Sequence, residues 1–253
     1  MEAAKRLRAK VAAGQITTGV LATDLLWPQL LEFLQLAGVD YLIADQEHGI
    51  HGDALVADVC ALGRQLNFPV LIRPIDTETA TIRKAIDRGP CGLLLPTVES
   101  VAQLDRVRDS IWMPPRGNRR PGGPGNYWVD DFSYASWKRE VEDDFIVLPQ
   151  IESRVGLARV DEIAAHEIVT AMAIGPYDLS MDLGVGAQMD HPTLLAAIAV
   201  IRASAERVHK TMWRIGDGPT MVREGFHFLC IGEPMAIFKG ALQQLQQETL
   251  AAG

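Results

Sequence analysis

The sequence is short of cysteine, of lysine and of positive charge, and each shortage excludes something. It has three cysteines in 253 residues, Cys60, Cys91 and Cys230. They lie far apart in apolar segments, the pattern of buried thiols in a reducing cytosol rather than of a disulfide framework. A cytoplasmic protein is expected. The net charge is -8 and the isoelectric point about 5.3, which argues against a nucleic-acid binder, since those need a basic surface. No apolar run reaches the length that spans a membrane. The first residues, "MEAAKRLRAKVAAG", are basic but have no apolar stretch behind them, so they do not read as a signal peptide. No glycine fingerprint follows the first predicted strand and no GxxxxGK[ST] occurs, which removes the usual nucleotide-binding signatures. No internal repeat and no domain linker is visible.

What is present is a soluble globular composition, 48% hydrophobic and 22% charged, long enough to bury a full core. Short apolar runs alternate with helix-period segments along nearly the whole chain. The runs are "TTGVLA" (17–22), "YLIAD" (41–45), "PVLIR" (69–73), "GLLLP" (92–96), "FIVLPQIE" (145–152), "TAMAIG" (170–175), "TMWRI" (211–215) and "FHFLCIG" (226–232). Helices are predicted over 27–37, 53–66, 79–88, 101–109, 155–166, 192–209, 219–223 and 235–246. Strands apolar on both faces indicate a parallel sheet covered by helices. Eight strands and about eight helices in this length predict one (β/α)8 barrel domain over residues 1–253. Residues 112–144, rich in Gly, Pro, Arg and aromatics, break the rhythm and are too long for an idle connection.

In such a barrel the chemistry lies at the C-terminal ends of the strands. Strand two ends in Asp45, Glu47 and His48, strand three in Arg73, strand five in Gln150 and Glu152, and strand six runs into "GPYD" with Asp178. Each has a bland reading: His48 as a loop histidine, Arg73 as a surface charge, Asp178 as a helix cap. Their convergence on one rim weakens that reading. Positions i and i+2 of a strand face one side, so Gln150 and Glu152 both point to the mouth. Glu152 and Asp178 then offer two carboxylates from neighbouring strands. That pair suits Mg²⁺ or Mn²⁺, with water and ligand oxygens completing the shell. A metal-free acid/base pair of carboxylates is the alternative and leaves Arg73 and Gln150 with less to do. A Schiff-base mechanism needs a lysine at a strand end, and the six lysines, at 5, 10, 84, 138, 210 and 239, end none. The other histidines lack metal spacing, and the five tryptophans read as packing.

Taken together, "LIADQEHG", "PVLIRP", "IRKAIDRGPCGLLLPTVES", "PRG", "LPQIESRVGLARVDEIAA" and "AIGPYDLSMDLG" resemble the successive motifs of the HpcH/HpaI group of class II, metal-dependent pyruvate aldolases. The resemblance covers about residues 15–250. It implies a barrel of the phosphoenolpyruvate/pyruvate-binding type and an aldolase joining a pyruvate or hydroxypyruvate enolate to an aldehyde. It implies a divalent ion (Mg²⁺, Mn²⁺ or Co²⁺) on Glu152 and Asp178, His48 as acid/base, and Arg73 on the keto or enolate oxygen. Gln150 would stand beside the substrate. The backbone of Gly175, Pro176 and Tyr177 would hold the substrate carboxylate. Asp45 and Asp87 would act near the histidine, Asp87 from a neighbouring subunit of a homo-trimer or hexamer. Within the same superfamily, an oxaloacetate decarboxylase, a decarboxylating synthase or a CoA-thioester lyase stays open, as does a non-catalytic barrel. Three stretches depart from the pattern and bear on the substrate: "RGNRRPGGPGN", "MWRIGDGP" and the "GEP" that ends strand eight.

Overall fold

The computed structural model of the protein describes residues 1–120, 122–130 and 133–252; Pro121, Asp131 and Phe132 of the long segment, and Gly253, lie outside the described residues. Eight parallel strands close into a barrel in chain order. They are β1 (Thr17–Ala22), β2 (Tyr41–Asp45), β3 (Val70–Arg73), β4 (Gly92–Leu95), β5 (Ile146–Ile151), β6 (Ala171–Ile174), β7 (Thr211–Ile215) and β8 (Phe228–Cys230). Every predicted strand is present, most trimmed by a residue or two at the ends. β1 closes the barrel on β8, with Thr17 opposite Phe228.

The helices are α1 (Glu2–Ala12), α2 (Leu30–Leu36), α3 (Asp53–Leu66), α4 (Thr79–Asp87), α5 (Val101–Ile111), α6 (Tyr134–Trp137), α7 (Arg154–Ala158), α8 (Val160–Ala165), α9 (Pro176–Asp182), α10 (Pro192–Arg207), α11 (Gly218–Arg223) and α12 (Pro234–Ala251). Two differences from the sequence reading have physical causes. The helix predicted over 155–166 is two helices, because Arg159 leaves helical geometry at φ -116°, ψ 13°. α9 is absent from the predicted helices; Pro176 opens it, since proline suits the first helical position, where its missing N–H costs nothing.

The barrel interior is filled by aromatics. Tyr41 is fully buried. Its ring packs edge-on against Phe228 at 5.3 Å between centroids. The Tyr41 hydroxyl donates to the Leu229 carbonyl at 2.7 Å and accepts from the Trp213 indole at 2.7 Å. Gly19 faces this ring so closely that a Cβ there would lie 2.2 Å from Tyr41 Cζ. Trp213, part of the unusual strand-seven stretch, is therefore core.

The long segment is not idle. It carries a 3₁₀ turn (Pro124–Trp128), α6 and a π-helical turn (Lys138–Glu142), and it packs on the outside of the barrel. The Arg64 guanidinium of α3 stacks on Tyr127 and Trp128 at 5.5 and 5.8 Å. The Trp128 indole donates to the Gly89 carbonyl at 3.0 Å. Arg119 is buried over Trp137 and donates to Asp87 Oδ1 at 3.1 Å. Trp112, Trp137 and Trp213 are all buried, as packing tryptophans should be. At the other extreme, α12 buries none of its residues in the chain. No helix among the described residues is long and apolar enough to cross a membrane.

The filled interior makes a stability prediction. Gly19→Ala forces a methyl into the Tyr41 ring and should cost about 1–3 kcal/mol or more. Tyr41→Phe leaves a buried carbonyl and a buried indole N–H without their partner, at about 1–3 kcal/mol. Both should lower the urea midpoint; an unchanged midpoint for Gly19→Ala would show that the ring does not sit over this glycine.

Candidate active site

Register builds the site. β2 and β3 pair so that Asp45 lies directly across from Arg73. Alternation along β2 puts Asp45 on the same face as Tyr41, so its carboxylate rises from the core into the mouth. Asp45 is fully buried and Arg73 is 8% exposed. The guanidinium is clamped: Nε donates to Asp45 Oδ1 at 2.8 Å and Nη2 to Oδ2 at 2.7 Å. Nη1 lies 3.2 Å from Glu47 Oε2. Of the five N–H groups of a guanidinium, one on each Nη is left for another partner. Burial disfavours the charge on Arg73, but Asp45, Glu47 and Glu152 outweigh it and raise its pKa. Burial likewise acts against the Asp45 carboxylate; Arg73, Thr23 and the Glu47 amide overcome it, and the net shift is downward.

Asp45 also organises the turn that follows. It accepts the backbone N–H of Glu47 at 3.0 Å and of His48 at 3.4 Å, and the Thr23 hydroxyl at 3.0 Å. Thus Asp45 reaches the backbone of His48 and not its imidazole. The carboxylate nearest the imidazole is Glu47, at 3.9 Å from Nε2. The His48 side chain is 63% exposed and free to meet a substrate at the mouth. Strand-end reasoning names Glu47 without giving it a role; the structure sets it between Arg73 and His48. Burial raises the Glu47 pKa, against the pull of Arg73 and His48.

Across the mouth stands Glu152. Its Oε1 accepts from the Thr97 N–H at 2.6 Å and the Thr97 hydroxyl at 3.0 Å. Its Oε2 accepts from Gln150 Nε2 at 3.2 Å. Burial pushes the Glu152 carboxyl up to about 7; Thr97 opposes the rise, and Glu47 and Asp178 add to it. Gln150 is buried, and its Oε1 has no partner. Asp178 lies exposed in the first turn of α9. Gly175, directly before α9, is the residue that permits this packing: a Cβ there would sit 2.1 Å from Glu152 Oε2. Its N–H is occupied by the Ile151 carbonyl at 3.3 Å. Pro176 has no N–H, so of the predicted carboxylate-holding backbone the amides of Tyr177 and Asp178 remain as donors.

Asp87, expected to act from a neighbouring subunit, stands away from the strand-end network of its own chain. It ends α4, its carboxylate is paired with Arg119, and it lies against Gly122 and Gly123 rather than in the strand-end network. One chain does not bring it to His48. Thr97 is the residue that sequence reasoning missed. A β-branched residue at φ 45° has no signature in sequence, because the conformation is imposed by its surroundings.

The donor set suits a hard divalent ion. Glu152, Asp178 and Glu47 repel one another across a pocket with one guanidinium, and the buried Gln150 oxygen lacks a donor. Among the described residues there is no group of three or more His, Cys, Asp or Glu side chains that could hold an ion, so Glu152 and Asp178 would need oxygens from water or substrate to complete a shell. No lysine lies at a strand end: Lys5 and Lys10 are in α1, Lys84 in α4, Lys239 in α12, Lys138 in the long segment, and Lys210 directly precedes β7.

Residues 23–232 match the profile of the HpcH/HpaI aldolase/citrate lyase family. A hydroxypyruvate/pyruvate aldolase of Pseudomonas aeruginosa is 30% identical over 248 residues, 95% of this chain and 91% of that protein. A 5-keto-4-deoxy-D-glucarate aldolase of Klebsiella pneumoniae is 31% identical over 249 residues, 95% of this chain and 94% of that protein. The crystal structure of an HpcH/HpaI aldolase from Desulfitobacterium hafniense superposes with a TM-score of 0.86 at 25% identity, covering 97% of this chain and 95% of that one. On this match across most of its length, the chain belongs to the HpcH/HpaI aldolase/citrate lyase family and is a carbon–carbon lyase.

Proposed function

We propose that the protein makes and cleaves the bond between a pyruvate-type donor, pyruvate or hydroxypyruvate, and an aldehyde, at the mouth formed by β2, β3, β5 and β6. The observation that carries the reading is the clamped Arg73 facing an excess of carboxylates. Retro-aldol cleavage of a 4-hydroxy-2-oxo acid turns the bonding pair between C3 and C4 into an enolate. Arg73 cannot lose its proton in this setting, and its position is set before substrate arrives. Its two free N–H groups stabilise the charge that develops on the keto oxygen. The Tyr177 and Asp178 amides receive the substrate carboxylate. His48 takes the proton of the 4-hydroxyl as the aldehyde leaves, a task suited to an imidazole exposed at the mouth. Glu152 and Asp178 are the residues that would hold a divalent ion (Mg²⁺, Mn²⁺ or Co²⁺), with Gln150 beside it. Such an ion supplies a Lewis acid for the enolate oxygen.

We further propose a homo-oligomer. α12 exposes Met235, Ile237, Phe238, Leu242, Leu245 and Leu250 and fully buries none of its residues against its own chain. A second copy is the covering surface that fits an 18-residue helix with this stripe. Assembly is also what would bring Asp87 to a neighbour's His48.

Three outcomes follow. Pyruvate release from a panel of 4-hydroxy-2-oxo acids should fall on chelation and return with Mg²⁺, Mn²⁺ or Co²⁺. Arg73→Ala should depress aldol cleavage and oxaloacetate decarboxylation together. His48→Ala should reduce cleavage by about 10²–10⁴-fold and decarboxylation far less, because loss of CO₂ needs no proton from a 4-hydroxyl. Equal losses in both reactions would show that His48 is not the acid/base group.

Burial holds Glu152 near 7, above the usual 4.5. A group raised in the folded state stabilises fully below its unfolded pKa and loses that contribution as pH rises through the folded one. Metal-free protein should therefore lose stability between about pH 4.5 and pH 7, and Glu152→Gln should flatten that loss. Mn²⁺ should raise the melting temperature more at pH 8 than at pH 5.5, because binding expels the Glu152 proton. Identical pH profiles for wild type and Glu152→Gln in chelator would refute the assignment.

For assembly, sedimentation at micromolar concentration should give a mass at least twice the 27.7 kDa chain. Phe238→Glu with Leu242→Glu should reduce it to the monomer. A wild-type monomer would remove both the oligomer and the role of Asp87.

A further inference from the structure

Gln103, in the first turn of α5, makes more hydrogen bonds through its side chain than any exposed turn would need. Its Oε1 accepts from the Glu99 N–H at 2.7 Å, the Ser100 N–H at 3.0 Å and the Ser100 hydroxyl at 3.3 Å. This is the reciprocal half of a capping box, enough by itself to explain an amide at this position. Its Nε2 goes further. It donates to the Thr97 carbonyl at 3.0 Å and to the buried Thr77 hydroxyl at 3.2 Å. One side chain thus ties the loop after β4 to the loop after β3, which follows Arg73.

Thr97 is the residue that this tether holds. Its φ of 45° is an outlier for a β-branched side chain and is strained. Such a conformation persists only where the surroundings over-determine it. The Thr97 N–H and hydroxyl both point at Glu152 Oε1, while its carbonyl points back to Gln103. Relaxing Thr97 to an ordinary φ turns its peptide away and takes the N–H off the carboxylate. The strain therefore has a use: it aims two donors at one oxygen of Glu152.

We propose that Gln103 is a positioning residue for the metal site: by anchoring the Thr97 carbonyl it holds the strained backbone that orients Glu152 toward a divalent ion. The proposal rests on the reading of Glu152 as a metal ligand. Gln103 touches neither ion nor substrate; it acts at two removes. Partners of this kind change metal affinity about 10–100-fold when removed.

The test is a titration of metal-free full-length protein with Mn²⁺, read by electron paramagnetic resonance of the free ion. Gln103→Ala should weaken the dissociation constant about 10-fold or more. Gln103→Glu keeps the acceptor for Glu99 and Ser100 but loses the donor to Thr97, and should show the same loss if Gln103→Ala fails to fold. Ser100→Ala removes one bond to Gln103 Oε1 but leaves both Nε2 bonds, and should bind as wild type. Thr97→Gly accepts a positive φ without strain, so in that background Gln103→Ala should cost at most about 3-fold; glycine's backbone freedom supplies the rescue. Wild-type affinity in Gln103→Glu, or an equal loss with and without glycine at position 97, overturns the proposal. Wild-type affinity in Glu152→Gln would instead overturn the metal site itself, which keeps the two failures apart.

Discussion

The bidentate pair between Asp45 and Arg73 is the constraint around which the mouth of the barrel is arranged. It exists because β2 and β3 end in register, with the two residues opposite each other on the inward face. Both charges are buried, and neither would be tolerated alone. Paired, they do three things. They fix a cation that cannot titrate, they fold the turn carrying Glu47 and His48 onto the Asp45 oxygens, and they leave two guanidinium N–H groups aimed outward.

The opposite wall obeys a different rule. Glu152 has no cation within hydrogen-bonding distance; it is held by neutral donors from Thr97 and Gln150 and is pressed against Gly175. Burial holds Glu152 near 7, the Thr97 donors offset that only in part, and the carboxyl remains available to a cation. A mouth with one fixed charge pair and one carboxylate wall that lacks a cation is an asymmetric field suited to separating charge along a bond that breaks into an enolate and an aldehyde. Two of the three departures from the family pattern fall outside this centre, and the third reaches its edge. Trp213 is in the core, and Glu233 of "GEP" approaches the Thr23 hydroxyl beside Asp45 at 3.4 Å. The arginine-rich segment belts the outside of α3 and α4, where Arg64 and Arg119 stack on its aromatics.

Much was legible from sequence, for a physical reason. Parallel strands buried on both faces are continuous apolar runs, and the amphipathic helices between them have a different period, so all eight strands and most helices could be read directly. Position along a strand dictates which way a side chain faces, which is why Gln150 and Glu152 could be placed at the mouth together, and why Asp45, Arg73 and Glu152 converge. The order of elements, the barrel and the membership of the rim were therefore properties of local pattern.

Tertiary structure alone decided the partners. Whether Asp45 serves His48 or Arg73 depends on the register between two strands separated by a whole helix, and no spacing in the chain encodes it. Thr97 takes a left-handed backbone because Gln103 and Glu152 hold it from both sides, against its own preference. Gly175 looks like a loop donor in sequence, yet its use is the absent Cβ beside a carboxylate twenty-three positions earlier. α12 reads as an ordinary amphipathic helix, and only the packed barrel shows that its apolar stripe is left largely exposed. Local propensity can be summed along a sequence; contacts between distant residues exist only after the barrel has closed.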